Sequence, residues 1–161
     1  MSDWDSLELV EVAQPQRSLD EIEAWIISHG GQSQATGEIL KDFPVTHHFT
    51  PGLYIREIFM PAGSILTSRI HKTEHPYIIT KGKVIVRIDG QSSMELAAPH
   101  FGITKPGTRR LLFILEDTTW LTFHATQLTD VVEIENEIIE AHHNPLLPTA
   151  LQTYRKKELI T

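Results

Sequence analysis

GSILTSRIHKTEHPYIITKG, residues 63–82, is the stretch whose reading decides the fold. Runs rich in β-branched residues lie on either side of a short polar connection, which predicts two strands, Ile65 to Ile70 and Tyr77 to Thr80. Side chains alternate along a strand, so Arg69 and His71 share one face, and His75, Tyr77 and Ile79 share another across the turn. His71 and His75 can therefore converge. Outward from this stretch, similar short runs separated by Pro and Gly recur at Tyr54 to Met60, Val84 to Ile88, Phe101 to Thr104, Leu111 to Leu115 and Trp120 to Ala125. Seven such strands predict an all-β sandwich or barrel.

Helical spacing appears only outside the barrel. Ser18-Leu-Asp-Glu matches a capping box, and Leu19, Ile22, Trp25 and Ile26 follow at helical period, with Gly30-Gly31 as the stop. A second amphipathic helix starts at Thr129-Asp130, carries Val131, Val132, Ile134, Ile138 and Ile139 on one face, and stops near Asn144-Pro145. The predicted organisation is an N-terminal arm and helix over 1–43, a barrel over 44–128, and a C-terminal helix and tail over 129–161. The arm through residue 17, with room for a short strand, and the connection 31–42 show no strong period. Neither does the tail, which is expected to be disordered or to lie on a neighbouring subunit.

With 161 residues, 40% apolar and 22% charged, the composition is that of one globular domain. The absence of cysteine excludes disulfides, thiolate nucleophiles and cysteine-bound zinc, and fits a reducing cytoplasm. The acidic N-terminus is not that of a signal peptide, and no apolar run approaches the ~18 residues of a membrane span. A net charge of −7 disfavours nucleic acid and anionic lipid. Arg109-Arg110 and Arg155 to Lys157 are too short to argue otherwise, and His142-His143 lacks the second pair that a zinc protease needs.

The order of glycine, strand, histidine, strand and glycine resembles the first motif of the cupin superfamily: a glycine, five residues, His-x-His, three or four residues, Glu, six residues and a glycine. Gly63 and Gly82 match it, His71 takes the second histidine place and His75 the glutamate place, while Arg69 stands in the first histidine place. The second motif is matched by the strand from Pro99-His100 and by Lys105-Pro106-Gly107 in place of Pro-x-Gly, with Arg110 in the histidine place. The resemblance covers about residues 44–128. The wording REIFMPAG, IHKTEH, PGTRR and EDTTW is also similar to small cupin-like proteins of tailed phages. It implies a single cupin jelly-roll β-barrel with flanking N- and C-terminal helices, pairing into a homo-oligomer such as a homodimer. A phage-encoded protein would act in the host cytoplasm.

Cupins hold a metal by inward side chains, typically three histidines and a carboxylate, so the resemblance implies a divalent ion such as Zn, Fe, Mn or Ni. His71 and His75 are the first candidates. His124 is a third, sharing a strand face with Trp120 and Thr122, and His48 is a fourth; alternation alone does not say which face of that strand is inward. Glu74 replaces His75 as a ligand if the turn is one residue shorter. Arg69 and Arg110, with Tyr77 to orient a ligand, offer planar forks suited to a small anionic molecule, unless an arginine pairs with Glu57, Glu74 or Glu116. Two functions follow: a metal- or anion-binding cupin open to lyase, isomerase or oxygenase chemistry, with no catalytic residue singled out, or a non-catalytic scaffold for another protein.

Overall fold

In the computed structural model, which describes residues 16–31, 42–141 and 144–147, Ser18 opens the first helix, α1 (Leu19–Ser28), as its capping box predicts. The Ser18 hydroxyl accepts from the Glu21 N–H at 3.2 Å, and the Glu21 carboxylate accepts from the Ser18 N–H at 2.8 Å. Leu19, Ile22 and Ile26 pack against Ile65 and Leu111 of the barrel wall. Each such fully buried aliphatic side chain contributes roughly 1.5–3 kcal/mol. The same helix carries the buried Glu23, bound by Arg109 at 3.2 Å, the Thr67 hydroxyl at 3.0 Å and the Asn144 amide at 3.1 Å. A buried carboxylate tolerates burial only with such partners. Arg109 is thus a structural staple.

The barrel is built from β1 (Val45–Thr50), β2 (Leu53–Met60), β3 (Ile65–Thr67), β4 (His75–Ile88), β5 (Met94–Ala97), β6 (His100–Thr104) and β7 (Arg110–Ala125). All pairings are antiparallel. The order is that of a jelly roll. Two of the predicted pairs of short strands are single long ones: Tyr77–Thr80 and Val84–Ile88 are halves of β4, and Leu111–Leu115 and Trp120–Ala125 are halves of β7. Each half belongs to a different sheet. The first half of β4 pairs with β6 and the end of β7, and its second half pairs with β5 and the start of β7, which also takes β3. The register shifts between Ile79 and Val84 make the bend. Gly82 sits there at φ +97°, where a Cβ would come within 2.4 Å of the Asp117 carbonyl oxygen. A glycine is required by both conformation and space.

Other differences have the same long-range origin. β1 and β5 carry mixed, largely exposed side chains, so neither shows a clean period. The predicted strand Ile65 to Ile70 ends at Thr67, because the following residues turn across the barrel end. The second helix, α2 (Val131–Ile138), is capped by Asp130, whose carboxylate accepts from the Glu133 N–H at 3.0 Å. It stops well before Asn144-Pro145. Residues 138–140 pair instead with residues 70–72: the Lys72 N–H donates to the Ile138 carbonyl at 2.7 Å, and the Glu140 N–H donates to that of Ile70 at 2.8 Å. That pairing replaces the hydrogen bonds of a further helical turn. Ile134 and Ile138 pack on Tyr54 at the barrel end.

Ile58, Met60, Leu66, Ile79, Val84, Val86, Leu112, Ile114 and Trp120 fill the core between the sheets. No helix among the described residues is long and apolar enough to cross a membrane. The arm before residue 16, most of the connection 31–42, His142-His143 and the tail with Arg155 to Lys157 lie outside the described residues.

Candidate metal centre

Register decides which face of β7 is inward. Tyr54 pairs with His124 and Arg56 with Thr122 across β2 and β7, while Thr122 pairs with Tyr77 and His75 with Thr104 on the other side. Trp120, Thr122 and His124 share the face that lines the barrel; Trp120 is buried in the core and His124 is 2% exposed. His75, 3% exposed, comes from the start of β4. His71 comes from the irregular segment before it, held by its backbone bridge to Ile139.

These three histidines meet. Their ring centroids are 4.4 Å apart for His71 and His75, 4.5 Å for His75 and His124, and 5.2 Å for His71 and His124, the last two rings nearly parallel at 9°. One nitrogen from each lies within 4.8 Å of the others. Two nitrogens bound to one ion are at most about 4.2 Å apart, so ion binding needs only a small inward adjustment. Burial drives the His71 pKa down to about 2 and that of His124 down to about 3, with the neighbouring histidines and Arg56 adding to the effect. His75 is also lowered by burial, against the opposing pull of the Thr73 carbonyl. All three rings are neutral near pH 7, the state in which imidazole is a ligand.

Two further features fit a cation. A carbonyl can only accept, so the His75 Nδ1 that lies 3.1 Å from the Thr73 oxygen carries the proton, and Nε2 keeps its lone pair. The ring is oriented by an outer partner, as metal-bound histidines are. His124 Nε2 is 3.0 Å from the Thr122 hydroxyl, while its Nδ1 is buried without a partner. An unpaired buried nitrogen costs about 1–3 kcal/mol unless something binds it.

The cavity beside the cluster has a volume of about 80 Å³ and is lined by Arg56, Arg69, Arg110, Thr104, Thr122 and Ile139 above an apolar floor that includes Leu66, Leu112 and Trp120. Arg69 makes an ion pair at 3.0 Å with Glu135 of α2. That partner is none of the three glutamates considered from sequence: Glu57 faces His48 at 3.8 Å, Glu74 binds Lys105 at 3.0 Å, and Glu116 lies 3.9 Å from Lys83. Those contacts also place His48 and Glu74 outside the cluster. Arg110 donates to the Thr104 hydroxyl at 3.1 Å and lies 5.1 Å from the centre of the Tyr77 ring. The Tyr77 hydroxyl is 3.1 Å from His100 Nε2. Its ring thus backs Arg110 while its hydroxyl is held by another residue.

Sequence reasoning missed Arg56 and Tyr54. Alternation in β2 puts Tyr54, Arg56, Ile58 and Met60 on one face, and an arginine in that apolar series was the available signal. Tyr54 stacks on His124 at 5.8 Å and its hydroxyl lies 2.6 Å from His47 Nδ1. Burial raises its pKa to about 12.

No family model and no curated protein sequence matches the chain. Similar solved structures include an RmlC-like cupin family protein with a double-stranded β-helix fold from Methanocaldococcus jannaschii, at 16% identity and a TM-score of 0.46, over 56% of this chain and 88% of that one. A protein of unknown function from Vibrio parahaemolyticus has 11% identity and a TM-score of 0.47, over 53% and 90%. Hydroxypropylphosphonic acid epoxidase from S. wedmorenis has 5% identity and a TM-score of 0.46, over 53% and 51%. The strand topology is that of a jelly-roll β-barrel flanked by two helices.

Proposed function

We propose that the protein is a metal-binding cupin in which His71, His75 and His124 hold one divalent ion, Zn, Fe, Mn or Ni, and a small anionic molecule binds beside it. The unpaired, buried Nδ1 of His124 within a cluster of neutral rings carries this reading. Such an ion would supply Lewis acidity or an activated water, and lyase, isomerase and oxygenase chemistry all fit that role. The chain's own residues orient and enclose. Thr73 and Thr122 set the rings of His75 and His124, while Ile139 and Trp120 give the cavity apolar walls. Among the described residues no carboxylate belongs to the cluster, so the ion would keep its full double charge and favour an anion at its open positions.

Protein purified without a histidine tag is expected to carry metal near one equivalent, or to take up added zinc and melt higher. Zinc at 100 times its Kd would add about 2.7 kcal/mol. Protein without metal that is unchanged by Zn, Mn, Fe and Ni would sink the reading.

A second reading, pairing of two copies through the outer sheet, is favoured by one observation. Phe101 and Ile103 on β6 are 64% and 45% exposed, and register sets them beside Ile78 and Pro76. Contiguous apolar surface of this kind marks contact sites. Light scattering should then find a dimer that Phe101→Glu converts to monomer; a wild-type protein that stays monomeric at high micromolar concentration rejects the pairing.

A further inference from the structure

Three arginines line one cavity, and they are not equivalent. Arg69 is neutralised by Glu135. Arg110 has only neutral company, the Thr104 hydroxyl and the Tyr77 ring. Arg56 has neither an ion pair nor a hydrogen bond from its side chain among the described residues, although it is partly buried. The two guanidinium groups without an ion pair come from facing sheets. Arg56 lies in the row Arg56–Thr122–Tyr77 of one sheet, next to the row that holds His124 and His75. Arg110 comes from the opposite sheet, paired through its backbone N–H to the Ser68 hydroxyl, and reaches over the same Tyr77 ring.

Two fixed positive charges beside an apolar floor are costly unless an anion joins them. The planar forks match a carboxylate, and the space beyond them is hydrocarbon. We propose that Arg56 and Arg110 form a carboxylate-binding subsite beside the histidine cluster, taking a short-chain monocarboxylate whose tail lies against Leu66, Leu112 and Trp120. Arg56 thereby takes the place that the sequence assigned to Arg69. The cavity of about 80 Å³ matches a ligand of a few carbon atoms. The inference deepens the proposed metal-and-anion site, but it does not need the ion, because both charges belong to the chain.

Calorimetric titration of the full chain with butyrate, both as purified and after EDTA treatment, tests it. Butyrate should bind in both states, and neutral butyramide should not. Arg56→Met should weaken butyrate roughly 10- to 100-fold, the effect of losing a charge-assisted hydrogen bond. It should also melt no lower than wild type, since it removes a partly buried charge that makes no ion pair or hydrogen bond; a merely structural arginine would lower the melting temperature. If Arg56→Met does not fold, Arg56→Lys serves, and should lose affinity while it retains stability. Absence of butyrate binding to the wild-type protein overturns the proposal, as does undiminished binding in the folded Arg56 variant, or inorganic phosphate binding more tightly than butyrate. Zinc uptake without butyrate binding defeats this subsite alone. Butyrate binding without zinc uptake defeats the metal reading alone.

Discussion

Alanine at both His75 and His124 is expected to abolish tight zinc uptake while leaving the barrel folded. The two rings supply two of the three nitrogens gathered within 4.8 Å, and among the described residues no Asp or Glu belongs to the cluster to replace them. Even substitutions of the groups that merely orient metal ligands cost about 10- to 100-fold in affinity. Loss of two ligands should therefore exceed about 100-fold and remove stoichiometric metal from purified protein. The fold should survive because every apolar side chain that fills the core is retained. Truncation leaves cavities, so a lower melting temperature in the metal-free variant is expected, by the few kcal/mol typical of large-to-small changes at buried sites. The informative comparison is the zinc-induced shift in melting temperature, present in wild type and absent in the variant. A variant that keeps the shift would place the ion elsewhere.

Acidification should destabilise the protein steeply between pH 6.5 and about pH 3. His71 and His124 have native pKa values pushed down to about 2 and about 3 by burial, with neighbouring histidines and Arg56 acting in the same direction. In the unfolded chain each titrates near 6.5. Between these limits the unfolded state binds protons that the native state refuses, so stability rises with pH and is lost as pH falls. Each fully titrating ring contributes a slope of about 1.4 kcal/mol per pH unit. Two rings over a few units match the whole stability of a typical domain. The loss begins below the unfolded value near 6.5, where most carboxylates are still ionised. Urea titrations at pH 7, 6, 5 and 4 would show it, and a His71→Gln, His124→Gln variant should flatten the profile between pH 6.5 and 5. Equal slopes in both proteins would assign acid sensitivity to other groups. Zinc should sharpen the wild-type dependence, because protons compete for the same nitrogens.

Much of this was legible from local pattern. The capping box at Ser18 marked α1, and strand alternation set His124 on one face with Trp120 and Thr122; His71 does meet His75, but from an irregular segment and not from a strand. Those signals are local, because an N-cap and a period of two are visible within a few residues. What local pattern could not show depends on partners distant in sequence. Lys81-Gly82-Lys83 reads as a turn but is a bend within one strand, since β7 pairs with both sides of it. The last apolar residue assigned to the second helix, Ile139, lies in an extended segment because residues 70–72 offer it hydrogen bonds. The distinction between Arg69 and Arg56 was hidden for the same reason: it turns on Glu135, which reaches the barrel end only after α2 has packed.

The bridge between His71 and Ile139 also sets an order of events during synthesis. When Ala125 has left the ribosome, every strand of the barrel exists, and β4 and β7 can already fix His75 and His124. His71 still lies on a segment that ends in open hydrogen-bonding groups at Ile70 and Lys72, and these are met only by Ile138 and Glu140. The third ring is therefore put in place by the segment that follows α2. A nascent barrel holds two of the three rings fixed, and gains the third only once the C-terminal helix has closed over Tyr54.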